Sequence, residues 1–238
     1  MESRSFQLDS QWNIIYYPPK PTGFGVFIIG DERHFVEENK CFWTQNEGKQ
    51  AILHELKERG YTVFSSNLYG RHWGSIQAVE LAQQVYEQVI RSEILNHKIH
   101  ILAEGMGALA AIKLMEKMRG SIRSIVFLNP ILSIKFHLEQ EKEHKFFYKK
   151  LMRELTYAYQ LNQHELENLI YSVNNELNFN QIPIKIVHVL SGGRSYNLSK
   201  QYKQIATPKT HPTFIVPEKK FQIGKICADF YRQYEVQL

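Results

Sequence analysis

The residues most suited to chemistry gather at one turn, Ala103-Glu104-Gly105-Met106-Gly107, which joins the apolar run Ile99 to Ala103 to a helix rich in small residues. A strand that turns directly into a helix N-terminus aims backbone N–H groups and a positive dipole end beyond the strand, a setting suited to an anion or a carbonyl oxygen. Four titratable residues belong to the same end of the pattern: Glu104 beside the turn, Asp31 just after the run Val26 to Gly30, and His34 and His72 in loops that follow strands. In an open parallel sheet such loops converge on one crevice, so Glu104 with His34 or His72 offers a general acid–base pair. Polar loop residues without a catalytic role have the same sequence appearance. Gly105 to Ala110 also spells G-x-G-x-x-A, a dinucleotide-binding fingerprint. That motif belongs on the first strand of its fold with an acid about 20 residues on, whereas here it follows about the fifth strand and the sequence offers Asn129.

The elements that must position this turn alternate regularly. Phe6–Leu8 and Trp12–Tyr17 read as a hairpin, closed by PPKPTG, and Phe24–Ile29 as a buried strand ending at Gly30. A helix is predicted from about Asn46 to Arg59 with Ile52, Leu53 and Leu56 on one face and Gly60 as its C-cap. The strand Tyr61–Ser65 follows, and Ser75 can N-cap a long helix to about Leu95. Ile99–Ala103, the turn, the helix Ala108–Met118 and the strand Ser124–Leu128 complete this series. From Ser133 to Asn180 the periodicity is helical with no strand, and strands resume at Ile184–Leu190 and Thr213–Val216, with helices near Leu198–Ile205 and from Phe221 to Tyr234. Alternation of this kind predicts a mostly parallel sheet with helices on both faces. No stretch reads as a linker between domains, so residues 1–238 are expected to form one domain with a helical insertion at about 133–180.

Taken together, the order and spacing of these segments resemble the α/β-hydrolase superfamily over nearly the whole chain. Leu102 to Ala111 (LAEGMGALAA) is similar to the nucleophile elbow, G-x-S-x-G, and its small-residue helix. Val26 to Asp31 resembles the strand and loop that supply one oxyanion donor, and Asn67-Leu68-Tyr69-Gly70 with Gly74-Ser75 resembles the loop after the next strand. Residues 133–180 sit where the family inserts a cap. The resemblance implies an oxyanion pocket at Gly30, Asp31, Gly105 and Met106, with Met106 and Asp31 as backbone donors, able to bind a small acyl or carboxylate ligand. It also implies a triad that this chain lacks. The nucleophile position is Gly105, and the acid is due near Ser195, where no carboxylate lies between Ile182 and Pro217. The histidine is due at Lys220, beyond the last histidine, His211. Loss of nucleophile, base and orienting acid together leaves at best oxyanion and binding effects. The expectation is a catalytically degenerate member that binds such a ligand or a protein partner. The alternative is an active hydrolase or acyltransferase with Glu104 and His34 or His72 as a non-standard set.

Composition narrows the classes further. At 238 residues, 43% hydrophobic and 22% charged, the chain is long and apolar enough to bury a sizeable core. The net charge of +5 is spread along the sequence apart from a cluster at Lys142, Lys145, Lys149, Lys150 and Arg153, and no nucleic-acid-binding motif is present. Cys41 and Cys227 have no metal or redox spacing and read as buried thiols. His137 and His144 are a helix heptad apart, about 10 Å at 1.5 Å per residue, too far to share a metal. Neither a cofactor nor a metal is expected. With no run of the roughly 20 apolar residues that a span requires, and no signal-like h-region in MESRSFQLDS, a cytoplasmic protein without a membrane span is expected.

Overall fold

A computed structural model describes residues 2–172, 182–191, 202 and 210–235. The described residues form an eight-stranded sheet in the order β1-β2-β4-β3-β5-β6-β7-β8. Its strands are β1 (Ser3–Leu8), β2 (Gln11–Tyr16), β3 (Gly25–Ile29), β4 (Thr62–Ser66), β5 (Ile99–Glu104), β6 (Ile122–Leu128), β7 (Ile184–Val189) and β8 (Thr210–Ile215). β1 and β2 are antiparallel to their neighbours, and every pairing from β4 through β8 is parallel. The helices are α1 (Phe42–Gln45), α2 (Glu47–Glu58), α3 (Ile76–Ser92), α4 (Gly107–Lys117), α5 (Ile134–Glu141), α6 (Lys145–Tyr159), α7 (Gln163–Ser172) and α8 (Ile223–Arg232).

The central strands are apolar at successive positions because both faces of the sheet are covered. On β3, Phe27 and Ile29 join the core beneath α3 and α4, while Val26 and Ile28 join the core beneath α2 and α8. β6 divides in the same way, with Ile125 and Phe127 on one side and Val126 and Leu128 on the other. This is the pattern of a parallel sheet buried on both faces. Cys41 and Cys227 are free and buried.

Local chemistry sets the element ends. The Asn46 side chain accepts from the Lys49 N–H at the start of α2, and Ser75 Oγ accepts from the Ala78 N–H at the start of α3. The first hairpin turns on Asp9 and Ser10, both with positive φ (46° and 58°), a tight two-residue connection, so PPKPTG lies after the hairpin rather than closing it. β8 begins three residues before the predicted start and includes Pro212. That proline is tolerated because, among the described residues, β8 is an edge strand paired only with β7. The C-terminal helix is preceded by a 3₁₀ turn, Pro217–Gln222. The helix predicted near Leu198–Ile205 lies outside the described residues apart from Tyr202, as does the end of the helical region, 173–181.

Between β6 and β7, helices α5, α6 and α7 build a third apolar cluster from Leu138, Leu151, Met152, Leu155, Leu166 and Ile170. The cluster is completed from the sheet side by Trp73, Met106 and Leu109, so these helices are seated directly on the turn at residue 105. Among the described residues no helix is long and apolar enough to cross a membrane, and no group of three or more His, Cys, Asp or Glu residues is placed to hold a metal.

α4 packs against the sheet with Gly107, Ala108, Ala110 and Ala111 buried. A Cβ at Gly107 would lie 2.4 Å from the Ile29 carbonyl oxygen and 2.7 Å from that of Gly30, so only glycine permits this approach. At Gly120, by contrast, a Cβ meets nothing within 4 Å. Gly107→Ala is therefore expected to destabilise the protein by about 1–3 kcal/mol, whereas Gly120→Ala stays within about 1 kcal/mol of the parent. Urea denaturation of the two variants side by side measures this; equal stability would contradict the packing described.

Candidate functional site

The turn after β5 is built by one left-handed residue. Gly105 has φ +52°, Met106 returns to helical geometry, and α4 begins at Gly107. The Gly105 N–H donates to the Leu128 carbonyl (3.0 Å), and its own carbonyl accepts from the Ile131 N–H (2.9 Å). The turn is thus fastened to the end of β6 and to the segment that follows it. The Met106 N–H, the first donor of the helix N-terminus, is left facing the crevice.

That donor is taken by Asp31. Its Oδ1 accepts from the Met106 N–H at 2.9 Å. A Cβ built on Gly105 would lie 2.0 Å from Asp31 Oδ1 and 2.1 Å from Cγ, so the carboxylate fills the space into which any side chain at residue 105 would project. The glycine at 105 and the acid at 31 are complementary: one vacates the volume and the other fills it. The sequence reading placed Asp31 here through its backbone; it is the side chain that reaches the turn.

Glu104 points to a different partner. Its carboxylate forms an ion pair and hydrogen bond with the Lys49 ammonium, which also lies 5.3 Å from the centroid of the Trp43 ring. Burial raises the Glu104 pKa, with Lys49 opposing the shift and the nearby Asp31 carboxylate adding to it. Lys49 is a site residue that the sequence reading missed, although a signal was available. Lys49, Ile52, Leu53 and Leu56 are spaced at three and four residues on α2, which puts the lysine on the buried stripe of that helix.

Both histidines of the proposed set are buried and committed to the backbone. The His72 Nδ1 accepts from the Gly74 N–H at 3.0 Å, which leaves the proton on Nε2 for a hydrogen bond to the Gly30 carbonyl. His34 Nε2 lies 3.2 Å from the Ser66 carbonyl and 3.0 Å from Ser65 Oγ, so that nitrogen carries the proton. The Ser65 hydroxyl itself donates to the Ile28 carbonyl at 2.9 Å. The His34 ring packs on Gly30, where a Cβ would come within 2.1 Å of its Cγ. Gly30 is therefore held between the two imidazoles and positions Asp31. The His34 backbone N–H donates to the Asp31 carbonyl (2.7 Å), but among the described residues neither imidazole is hydrogen-bonded to the carboxylate of Glu104 or Asp31. Of the two remaining triad positions, Lys220 is exposed on the 3₁₀ turn after β8, and Ser195 lies outside the described residues.

Helices α5–α7 close the top of the arrangement. Met106 is fully buried beneath them. The Trp73 indole N–H donates to Glu154 Oε2 on α6 (3.1 Å), and its ring stacks on His137 of α5 at 5.6 Å. Glu154 also pairs with Arg71 (3.0 Å) and Lys150 (3.6 Å), and both cations reach Glu32, the neighbour of Asp31. This four-residue network ties the loops after β3 and β4 to α6.

No protein-family model and no curated protein matches the sequence. Solved structures do match, along the full length. Est1E from Butyrivibrio proteoclasticus has a TM-score of 0.67 at 14% identity, with 99% of each chain covered, and a second structure of it has ferulic acid bound. Proline iminopeptidase from Mycobacterium smegmatis has a TM-score of 0.59 at 11% identity with 98% of each chain covered. XC6422 from Xanthomonas campestris, described as an α/β serine hydrolase without a lid, has a TM-score of 0.58 at 11% identity and covers 100% of this chain and 97% of its own. The chain has the α/β-hydrolase fold, as its strand order and elbow-like turn suggested.

The buried imidazoles fix a pH dependence. Burial lowers the His34 pKa from 6.5 to about 4 and that of His72 from 6.5 to about 3. Above the unfolded value both states are neutral; below it the unfolded chain takes up protons that the folded chain refuses, so stability falls as the pH drops from 6.5 towards 4. Each such histidine contributes a slope of up to about 1.4 kcal/mol per pH unit across that window. Chemical denaturation between pH 7 and about pH 4 is expected to show this slope, reduced in a His72→Asn variant. A parent curve that is flat over the window would contradict the neutral, buried assignment.

Proposed function

We propose that this chain is a catalytically degenerate α/β-hydrolase-fold protein that works by binding. The observation that carries the reading is the Asp31 carboxylate over Gly105, accepting the Met106 N–H at 2.9 Å. In a hydrolase of this fold, that N–H stabilises the oxygen of the acyl intermediate and the space over residue 105 holds the nucleophile. Here one internal carboxylate occupies both places. A small acyl or carboxylate ligand enters only by displacing Asp31, and its chemistry would match that of the group it displaces. Helices α5–α7 act in this reading as a cap, and the crevice beneath them is filled by Met106, Leu109 and Trp73. The filled crevice favours a protein partner seated over the cap, where Phe146 and Phe147 are exposed.

A second reading, an active hydrolase or acyltransferase using Glu104 with His34 or His72, draws support from neighbours described as esterases and an iminopeptidase. Against it stand the Lys49 ion pair on Glu104 and imidazoles whose lowered pKa values suit neither proton uptake near neutrality nor a shared network. Short- and medium-chain nitrophenyl esters separate the two. The binding reading predicts hydrolysis at the uncatalysed rate in the parent, Glu104→Gln and His72→Asn proteins alike. Turnover in the parent that falls by about 100-fold or more in either variant would replace it with the enzymatic reading.

A further inference from the structure

A second concave site lies away from the elbow, between the loop after β4 and the C-terminal end of α6. It is a cleft of about 760 Å³, within the range typical of small-molecule sites, of roughly 300–1,000 Å³. Its lining includes four carboxamides, Gln11, Asn67, Gln77 and Gln160, and two phenol rings, Tyr69 and Tyr157, and none of its lining side chains is charged. An adjoining hollow shares Tyr69 and Tyr157 and adds the charged Arg71, Arg153 and Glu154, and behind the lining the Asp9 carboxylate accepts from the Tyr69 hydroxyl.

The carboxamides are partly pre-organised. Gln11 Oε1 accepts from Asn67 Nδ2 (2.8 Å) and from the Tyr69 N–H (3.1 Å), and Gln160 Nε2 reaches Gln77 Oε1 at 3.4 Å. The Gln77 amide also donates to the Tyr69 hydroxyl oxygen, so these contacts leave its second N–H and the Gln160 amide oxygen for a ligand, a donor and an acceptor side by side. The backbone presenting the site is strained at both walls. Leu68 (φ +46°), Tyr69 (φ +62°) and Gly70 (φ +71°) are consecutive left-handed residues, and Gln160, which ends α6, has φ +54°. Left-handed conformations at non-glycine residues are disfavoured and persist where the surroundings hold them, often at binding sites. Tyr157 stands 82% exposed at the rim.

We infer that this cleft binds a neutral oligosaccharide. Paired amide donors and acceptors match the vicinal hydroxyls of a sugar, and an exposed phenol ring matches the C–H face of a pyranose. The absence of charge in the lining disfavours a phosphate or a carboxylate as the recognised group. Extended peptides have no edge to add to here: the one lining residue on a strand is Gln11, and both edges of β2 are paired. The inference does not depend on the reading of the elbow, because Gly105, Asp31 and Met106 do not line the cleft.

The test is titration of the full chain with xylotriose, cellotriose and maltotriose, followed by calorimetry and by saturation-transfer NMR. At least one of the three is expected to bind with Kd in the millimolar range or below. Tyr157→Ala, Gln160→Ala and Gln77→Ala, all at exposed positions on two different helices, are each expected to weaken binding by about tenfold or more, with unchanged circular dichroism. Lys145→Ala, at the opposite end of α6, should leave binding unaltered. No binding of any trisaccharide at concentrations on the order of 10 mM, or binding indifferent to all three cleft variants, would overturn the inference.

Discussion

The hydrogen bond from the Met106 N–H to the Asp31 carboxylate is the contact on which the site depends. A helix N-terminus at the end of a buried strand leaves N–H donors and a positive dipole end that need an anion or an acceptor. In this chain the acceptor is supplied internally, one loop away. Three features surround that contact and make it possible. Gly105 leaves room for the carboxylate, Gly107 lets α4 approach β3 closely, and Gly30, clasped by His34 and His72, sets the path of the chain into Asp31. A substitution at any of these positions acts on the same few ångströms of space.

The same geometry accounts for the disposition of charge. Two carboxylates, Asp31 and Glu104, lie near one another at the turn, and Lys49 offsets them from α2. Farther out, Glu32, Arg71, Lys150 and Glu154 alternate in sign and join the loops to α6. Exposed pairs of this kind contribute little individually. Glu154 differs because it is buried and also receives the Trp73 indole N–H, so it fixes the position of α6 over the turn.

Much of the fold was legible in the sequence. The caps at Asn46 and Ser75, the apolar strands and the small-residue helix after Gly107 are local signals, and the observed elements fall within a few residues of them. The site was legible only in outline. The turn at Gly105 could be found by its spelling, but the role of the Asp31 side chain depends on a contact 75 residues away in sequence, which no periodicity reports. His34 and His72 read as loop residues because they follow strands, and they do lie in loops; their burial, which the sequence did not report, follows from packing against Gly30 and the loops around it. The hairpin turn at Asp9 and Ser10 was overlooked in favour of the nearby prolines, since neither residue is glycine and both nevertheless adopt positive φ. Lys49 could have been found from its place on the apolar stripe of α2, where a lysine calls for a buried partner.

The most direct measurement of the central claim is the amide resonance of Met106 in ¹H–¹⁵N NMR spectra of the parent and of Asp31→Ala. If the carboxylate holds this N–H, the Met106 proton resonates downfield in the parent, then moves upfield and exchanges faster with solvent in the variant, while amides in the body of α4 stay in place. A Met106 resonance and exchange rate that are the same in both proteins would contradict the account.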